Sequence, residues 1–251
     1  MSPFTRRHLL ANCGTAALTS ALAIPTAAAA ETQPDRPVRI VIAGGHPGDP
    51  EAGCGGTMAR YAQQGHEVTA LYLTRGEAGV TGKTAEQAAE VRSAEALAAC
   101  KILGTRPVFA GQIDGVSESN PARIAEFAKL IAAVDPDIVI TQWPVDTHPD
   151  HRVCASLTLG AWLTLGRKFA LYYYEVDLGS DTQCFRPTHY VDVTAVEPLK
   201  RSACMAHASQ NPEGFYNRDH VPMLRFRGME SGHKFAEAFI HHDQSPAGRL
   251  P

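Results

Sequence analysis

Several common signatures are missing from this chain. Its 6 cysteines include no Cys-x-x-Cys pair, so no Cys-type zinc site is indicated. Cys13 lies in the N-terminal leader, and the remaining Cys54, Cys100, Cys154, Cys184 and Cys204 are odd in number, so no disulfide framework is indicated and buried apolar thiols are the expectation. There is no basic excess: 23 Lys and Arg stand against 26 Asp and Glu, for a formal net charge of −3, so no nucleic-acid partner is expected. Acidic blocks and internal repeats are absent, and low complexity is confined to the leader. The glycines around Gly44 to Gly56 do not form G-x-G-x-x-G, and no acidic residue closes the second strand, so a dinucleotide or nucleotide-sugar site is disfavoured. No Ser or Cys nucleophile motif stands out. What remains is an ordinary globular composition, with 44% apolar and 20% charged residues among 251, enough for one domain with a full core.

The first thirty residues read differently from the rest. Arg6 and Arg7 in "TRRHLLA" precede "GTAALTSALAIPTAAAA" and the polar "ETQPDRP", which resembles a twin-arginine export leader. The apolar run is short and rich in Ala and Thr, a poor membrane span, and Cys13 precedes it, where a lipid-anchored cysteine would follow. Cleavage near Ala30 would leave a single domain over residues 36–251, periplasmic or extracellular, with no stable membrane span.

Within that domain, strands are expected at Val38 to Ala43, Glu67 to Thr74, near "PVFAG", at Asp137 to Gln142, Phe169 to Val176 and Thr188 to Thr194. Helices are expected over "GCGGTMARYAQQGH", Ala85 to Ile102, Pro121 to Val134, "EPLKRSACMAHASQ" and "MESGHKFAEAFI", with a loop over Asn211 to Arg227. Arg92 and Glu95, at i to i+3 spacing, are expected to form a surface ion pair. Alternation of this kind specifies an α/β, Rossmann-like fold: a mostly parallel sheet with helices on both faces and the ligand crevice beyond the carboxyl ends of the strands.

Two motifs fall at such ends. "HPGDPE" (His46 to Glu51) follows the first strand, and "DTHPDH" (Asp146 to His151) follows the fourth. Two imidazoles and a carboxylate from separate turns form an N/O set suited to a divalent metal that keeps positions open for water and substrate. His189 and His207 stay open between structural hydrogen bonding and substrate contact.

Together with "LTRGEAG" (Leu73 to Gly79), "AAEVRSAEALAACKILG" (Ala88 to Gly104), "QIDG" (Gln112 to Gly115) and "HASQ" (His207 to Gln210), these motifs resemble the PIG-L or LmbE-like metal-dependent N-deacetylases over nearly the whole mature chain. The resemblance implies a metal-dependent hydrolase that removes acetyl from an N-acetylglucosamine-like sugar, a glycoconjugate or a related small amide. It implies a divalent metal, zinc above others, on His46, Asp49 and His151. His148 would stabilise the oxyanion or protonate the leaving amine, Asp150 would orient a motif histidine, and Arg75 and Asp114 would contact the substrate.

One departure stands out. Where the family carries its general-base Asp, this chain has Gly48, and Pro50 shifts Glu51 one residue beyond the family's Glu. The acidity of metal-held water, Asp146, His148 and Glu51 are the alternatives for the missing base, Asp146 being preferred for its place two residues before His148. A metal- or carbohydrate-binding protein that has lost turnover is the competing reading.

Overall fold

The computed structural model describes residues 36–176 and 181–251; the leader expected over residues 1–30 lies outside them. Among the described residues no helix is long and apolar enough to cross a membrane. The chain alternates strand and helix: β1 (Arg39–Gly44), α1 (Asp49–Gln63), β2 (Glu67–Tyr72), α2 (Ala85–Leu103), β3 (Arg106–Phe109), α3 (Pro121–Val134), β4 (Ile138–Gln142), α4 (Pro149–Thr164) and β5 (Ala170–Tyr174). There follow β6 (His189–Asp192), α5 (Glu197–Met205), a 3-10 turn (Ala208–Gln210), α6 (Pro212–Phe215), a wide π turn (Tyr216–His220), α7 (Val221–Ser231) and β7 (Ala236–His241).

These strands form one sheet in the order β3-β2-β1-β4-β5-β7-β6. The first five are mutually parallel, while β7 runs antiparallel to both β5 and β6. This is the expected Rossmann-like α/β fold, with an antiparallel edge. Because side chains alternate along a strand, Ile40 and Ile42 of β1 join one core, under α1, α2 and α5, and Val41 and Ala43 join the other, under α3 and α4. Chain order reverses between β1 and β4, and the two motif loops leave the carboxyl ends of these neighbouring strands.

Helix α1 carries Asp49 in its first turn and lies unusually close to the sheet. A Cβ at Gly53 would come within 2.2 Å of the Tyr174 ring, and one at Gly56 within 2.5 Å of Val193. Glycine there costs about 1 kcal/mol of helix propensity per residue. An inserted ion pair steadies the helix in return: Glu237 accepts the Gly56 and Thr57 amides at 2.8 Å each, and Lys200 Nζ donates to the Ala52 carbonyl (2.5 Å) and to Glu237 (2.6 Å).

"MESGHKFAEAFI" is not one helix. α7 stops at Ser231, with Gly232 in the left-handed region (φ 79°), and Ala236 onward is β7. Ala and Glu favour a helix locally, but Ala236 and Ala238 bury in the sheet between β5 and β6, and Glu237 is held by Lys200. The stretch read as a loop, Asn211 to Arg227, is largely helical. Arg92 and Glu95 are not a surface pair: Arg92 is buried and donates to the Pro47 carbonyl, whereas Glu95 accepts the Ser209 amide (2.7 Å) and hydroxyl (2.8 Å).

Candidate active site

The loop after β1 is fixed before it presents any donor atom. The Gly45 amide donates to Gln142 Oε1 at 2.9 Å, and Gln142 Nε2 reaches Asp49 Oδ2 at 3.1 Å, so the last residue of β4 ties the two strand ends together. Arg92 holds the Pro47 carbonyl from the α2 side, in space left by Gly76 and Gly79. Gly48 precedes α1 with φ 108°, a conformation that favours glycine, and its amide donates to Glu51 Oε2 at 3.1 Å. The other oxygen of Glu51 accepts the Tyr72 hydroxyl. Glu51 is thus a buried capping carboxylate at the start of α1.

On this scaffold His46 Nδ1 and His151 Nε2 both lie 3.2 Å from Asp49 Oδ2. The far nitrogens are held by carboxylates: His46 Nε2 lies 3.1 Å from Asp150 and 3.2 Å from Asp114, and His151 Nδ1 lies 3.1 Å from Asp146. These carboxylates are themselves anchored. Asp150 accepts the Gly115 amide (2.8 Å) and the Ser117 hydroxyl (2.5 Å). Asp146 accepts the His148 amide (2.9 Å) and the Thr182 hydroxyl (3.0 Å). Asp114 accepts the Ala78 amide at 3.1 Å.

His148 caps α4 and packs between the other two imidazoles, its ring centroid 4.6 Å from each. Nitrogens of His46, His148 and His151 all lie within 4.8 Å of one another, as do donor atoms of His46, Asp114 and Asp150. Of the residues singled out from the sequence, His46, Asp49, Asp114, Asp146, His148, Asp150 and His151 therefore meet in one cluster. Arg75 does not join it: its guanidinium is partly exposed and pairs with Glu77 (3.4 Å) and Glu86 (3.3 Å), which neutralise it within its own loop region. Sequence reading passed over Gln142, Ser117, Thr182 and Arg92. Only Gln142 left a trace, as a polar residue closing an otherwise apolar strand.

Charge in the cluster follows this geometry. Burial disfavours a charged His46, but Asp49, Asp114 and Asp150 outweigh it and hold the imidazole well above the usual histidine range. Burial likewise opposes charge on His151, yet Asp49 and Asp146 raise it to about 9. Asp49 is held well below the usual carboxylate range: its burial is overcome by His151 and His46. His148 moves the other way, lowered by burial and by its two imidazole neighbours.

The donors suit a divalent cation. Ligands about 2.0–2.2 Å from a tetrahedral ion sit about 3.4 Å apart, close to the 3.2 Å spacings around Asp49 Oδ2. Each imidazole already has the carboxylate partner that fixes the tautomer of a ligating histidine. Four aspartates face His46 and His151, leaving negative charge for a cation to offset. Beside Asp49 opens a cavity of about 180 Å³, lined among others by Gly48, Arg92, His207, Gln210 and Phe215.

The chain is similar to several known proteins. The family model described as "PIG-L: GlcNAc-PI de-N-acetylase" matches residues 41–162. The diacetylchitobiose deacetylase of Thermococcus kodakarensis is 28% identical over 210 residues, 76% of this chain and 78% of that protein. A 1D-myo-inositol 2-acetamido-2-deoxy-alpha-D-glucopyranoside deacetylase of Rhodococcus erythropolis is 34% identical over 153 residues, 49% of this chain and 52% of that one. Among solved structures, the conserved protein TT1542 from Thermus thermophilus superposes with a TM-score of 0.71 at 28% identity, covering 85% of this chain and 98% of that one. The 4-carboxy-2-hydroxymuconate hydratase from Pseudomonas putida shares the fold at 22% identity, with a TM-score of 0.72, over 86% of this chain and 100% of its own. The fold therefore hosts more than one chemistry, and function has to be argued from the site.

Proposed function

This chain belongs to the PIG-L family, and from that premise we propose that it hydrolyses the acetamide of a small N-acetylated sugar or glycoconjugate, N-acetylglucosamine-like, releasing acetate and the free amine. The observation that carries the proposal is the approach of His46 Nδ1 and His151 Nε2 to one oxygen of Asp49, with both far nitrogens held by carboxylates. His46, Asp49 and His151 would hold the metal, zinc above other divalent ions. When bound, such a cation polarises a carbonyl and acidifies water.

The chain's own residues do the rest. Asp146 and Asp150 hold the rings of His151 and His46 in one orientation. The Asp150 amide donates to His148 Nδ1 at 3.3 Å, so a neutral His148 carries its proton on Nε2. Its lowered pKa keeps it neutral at physiological pH. In that form it donates a hydrogen bond to the developing oxyanion. Asp114, 3.2 Å from His46 Nε2, would meet a sugar hydroxyl. Arg75 would do so only on leaving Glu77 and Glu86. The N-terminal leader fits export through a twin-arginine route, which a mass measurement of the chain recovered from the periplasm tests.

The direct assay is acetate release by the zinc-loaded protein from a panel of N-acetylated sugars. Release that stops with chelator and returns with zinc supports the hydrolase. Saturable sugar binding without acetate from any member would instead make this a binding protein, with Gly48 marking the loss of turnover.

A further inference from the structure

In a hydrolytic site the attacking water must lose a proton, and most groups near Asp49 are already committed. Both oxygens of Asp146 are taken, by His151 and the His148 amide on one side and Thr182 on the other. Both oxygens of Asp150 are taken by His46, Gly115 and Ser117. Both oxygens of Glu51 are taken by Tyr72 and the Gly48 amide. His148 Nδ1 already accepts a backbone amide.

His207 is different. It is 3% exposed, and neither ring nitrogen has a hydrogen-bond partner among the described residues. Glu51 Oε1 lies 3.6 Å from Nε2, beyond a good hydrogen bond. An unpaired buried imidazole costs about 1–3 kcal/mol, and such a group calls for a partner that arrives from elsewhere. The ring is nevertheless well placed, because its backbone is tied into the turn after α5 by His207 N to Cys204 O (3.2 Å) and Gln210 N to His207 O (2.9 Å).

The ring faces the cavity beside Asp49, at one particular spot. A Cβ built on Gly48 would stand 3.7–3.9 Å from His207 Cγ, Cδ2 and Nδ1. The space into which a side chain at position 48 would project is therefore bordered by this imidazole. We infer that His207 is a catalytic residue of this chain, the proton acceptor of the cavity, working where position 48 offers no side chain. The inference rests on the hydrolase reading above.

The proton balance is simple. As the water oxygen bonds the amide carbon, a ring nitrogen of His207 takes one water proton, leaving a tetrahedral oxyanion. When the C–N bond breaks, the nitrogen takes the proton that His207 holds and leaves as the amine, with acetic acid as the other product; His148 stays neutral, its Nε2–H bonded to the oxyanion. His207 is thereby returned to its neutral form. One water is consumed, and no redox partner is required.

The test compares wild type with His207→Ala and His207→Asn, each with its zinc content measured. Expected is a fall in kcat of about 100-fold or more, the scale of lost acid–base catalysis, with KM for N-acetylglucosamine within about threefold and zinc per chain unchanged. Added imidazole should restore part of the rate in His207→Ala. A readout independent of turnover follows the wild-type ring nitrogen resonances of His207, assigned by difference against the variants; they should shift as N-acetylglucosamine is added to the metal-free protein. Variants with kcat within threefold of wild type would overturn the inference, as would zinc loss in step with activity or resonances unmoved at saturating sugar. An inactive wild type would sink the hydrolase reading together with this one; an active wild type with active variants would sink only the role of His207.

Discussion

Replacing Asp146 by Asn separates two roles for that residue. One oxygen of Asp146 serves His151 Nδ1 (3.1 Å) and the His148 amide (2.9 Å); the other takes the Thr182 hydroxyl, which itself accepts the Val176 amide at 3.1 Å. An Asn can keep its oxygen on His151 and point its amide at Thr182, so the shape survives while the charge is lost. If Asp146 acts by orienting His151, its loss should cost about 10–100-fold in metal affinity, or about 1.4–2.7 kcal/mol. Proton competition opposes part of this. Asp146 helps hold His151 up to about 9, so in wild type a metal must displace that proton at pH 7, and the variant gives it up more readily. The loss in affinity should therefore be smaller at pH 7 than near pH 9. Competition with a chromophoric chelator at the two pH values measures it, alongside kcat at saturating zinc, which should change little. Unchanged affinity at both pH values with a fall in kcat of about 100-fold would refute the orienting role and make Asp146 the base.

Other predictions follow from the same structure. Lys200→Met leaves Glu237 buried without its cation, which should cost about 3–5 kcal/mol, and spread over about 216 residues this lowers Tm by about 7–11 °C; adding Glu237→Gln should recover part of it, and equal melting of the single and double variants would count against the pair. Gly48→Ala should destabilise the fold by about 1–3 kcal/mol through backbone strain at φ 108°, with no clash, because the new methyl would meet only His207 at ordinary contact distance; a denaturant midpoint equal to wild type would contradict this. In metal-free protein, His151 gives stability that is complete below about 6.5 and lost as pH rises through about 9. Asp49 gives stability present above its ordinary 3.8 and lost as pH falls through its much lower folded value. The denaturant midpoint of chelated protein should therefore be lower at pH 9 than at pH 6, and a His151→Gln variant should flatten that slope.

The local code of this chain wrote most of its frame openly. β-branched runs marked β1, ahead of Gly44 and Gly45, and β4, after Pro136; an alanine-rich stretch ending at Gly104 marked α2, and Asn120 before Pro121 opened α3. Their places after strands put "HPGDPE" and "DTHPDH" at one end of the sheet, because parallel strands bring their carboxyl ends to the same side; the fold then made β1 and β4 neighbours. β7 was hidden because its Ala and Glu favour a helix, and only the open edge of β5, with Lys200 waiting for Glu237, makes a strand of it.

The finer partition of the site was a matter of packing in three dimensions. Nothing in the spacing of Asp146, His148 and Asp150 tells which carboxylate takes which imidazole; only the folded structure pairs Asp146 with His151 and Asp150 with His46. Nor does an arginine in an alanine-rich helix announce that it turns inward, yet Gly76 and Gly79 clear the space and Arg92 clamps the His46 loop. The sequence by itself determined that these donors exist and that they follow strands of a parallel sheet. The tertiary structure alone decided which of their atoms are occupied and which remain free, since hydrogen-bond partners are chosen by distances across elements far apart in the chain, and that choice leaves His207 unpaired beside Gly48.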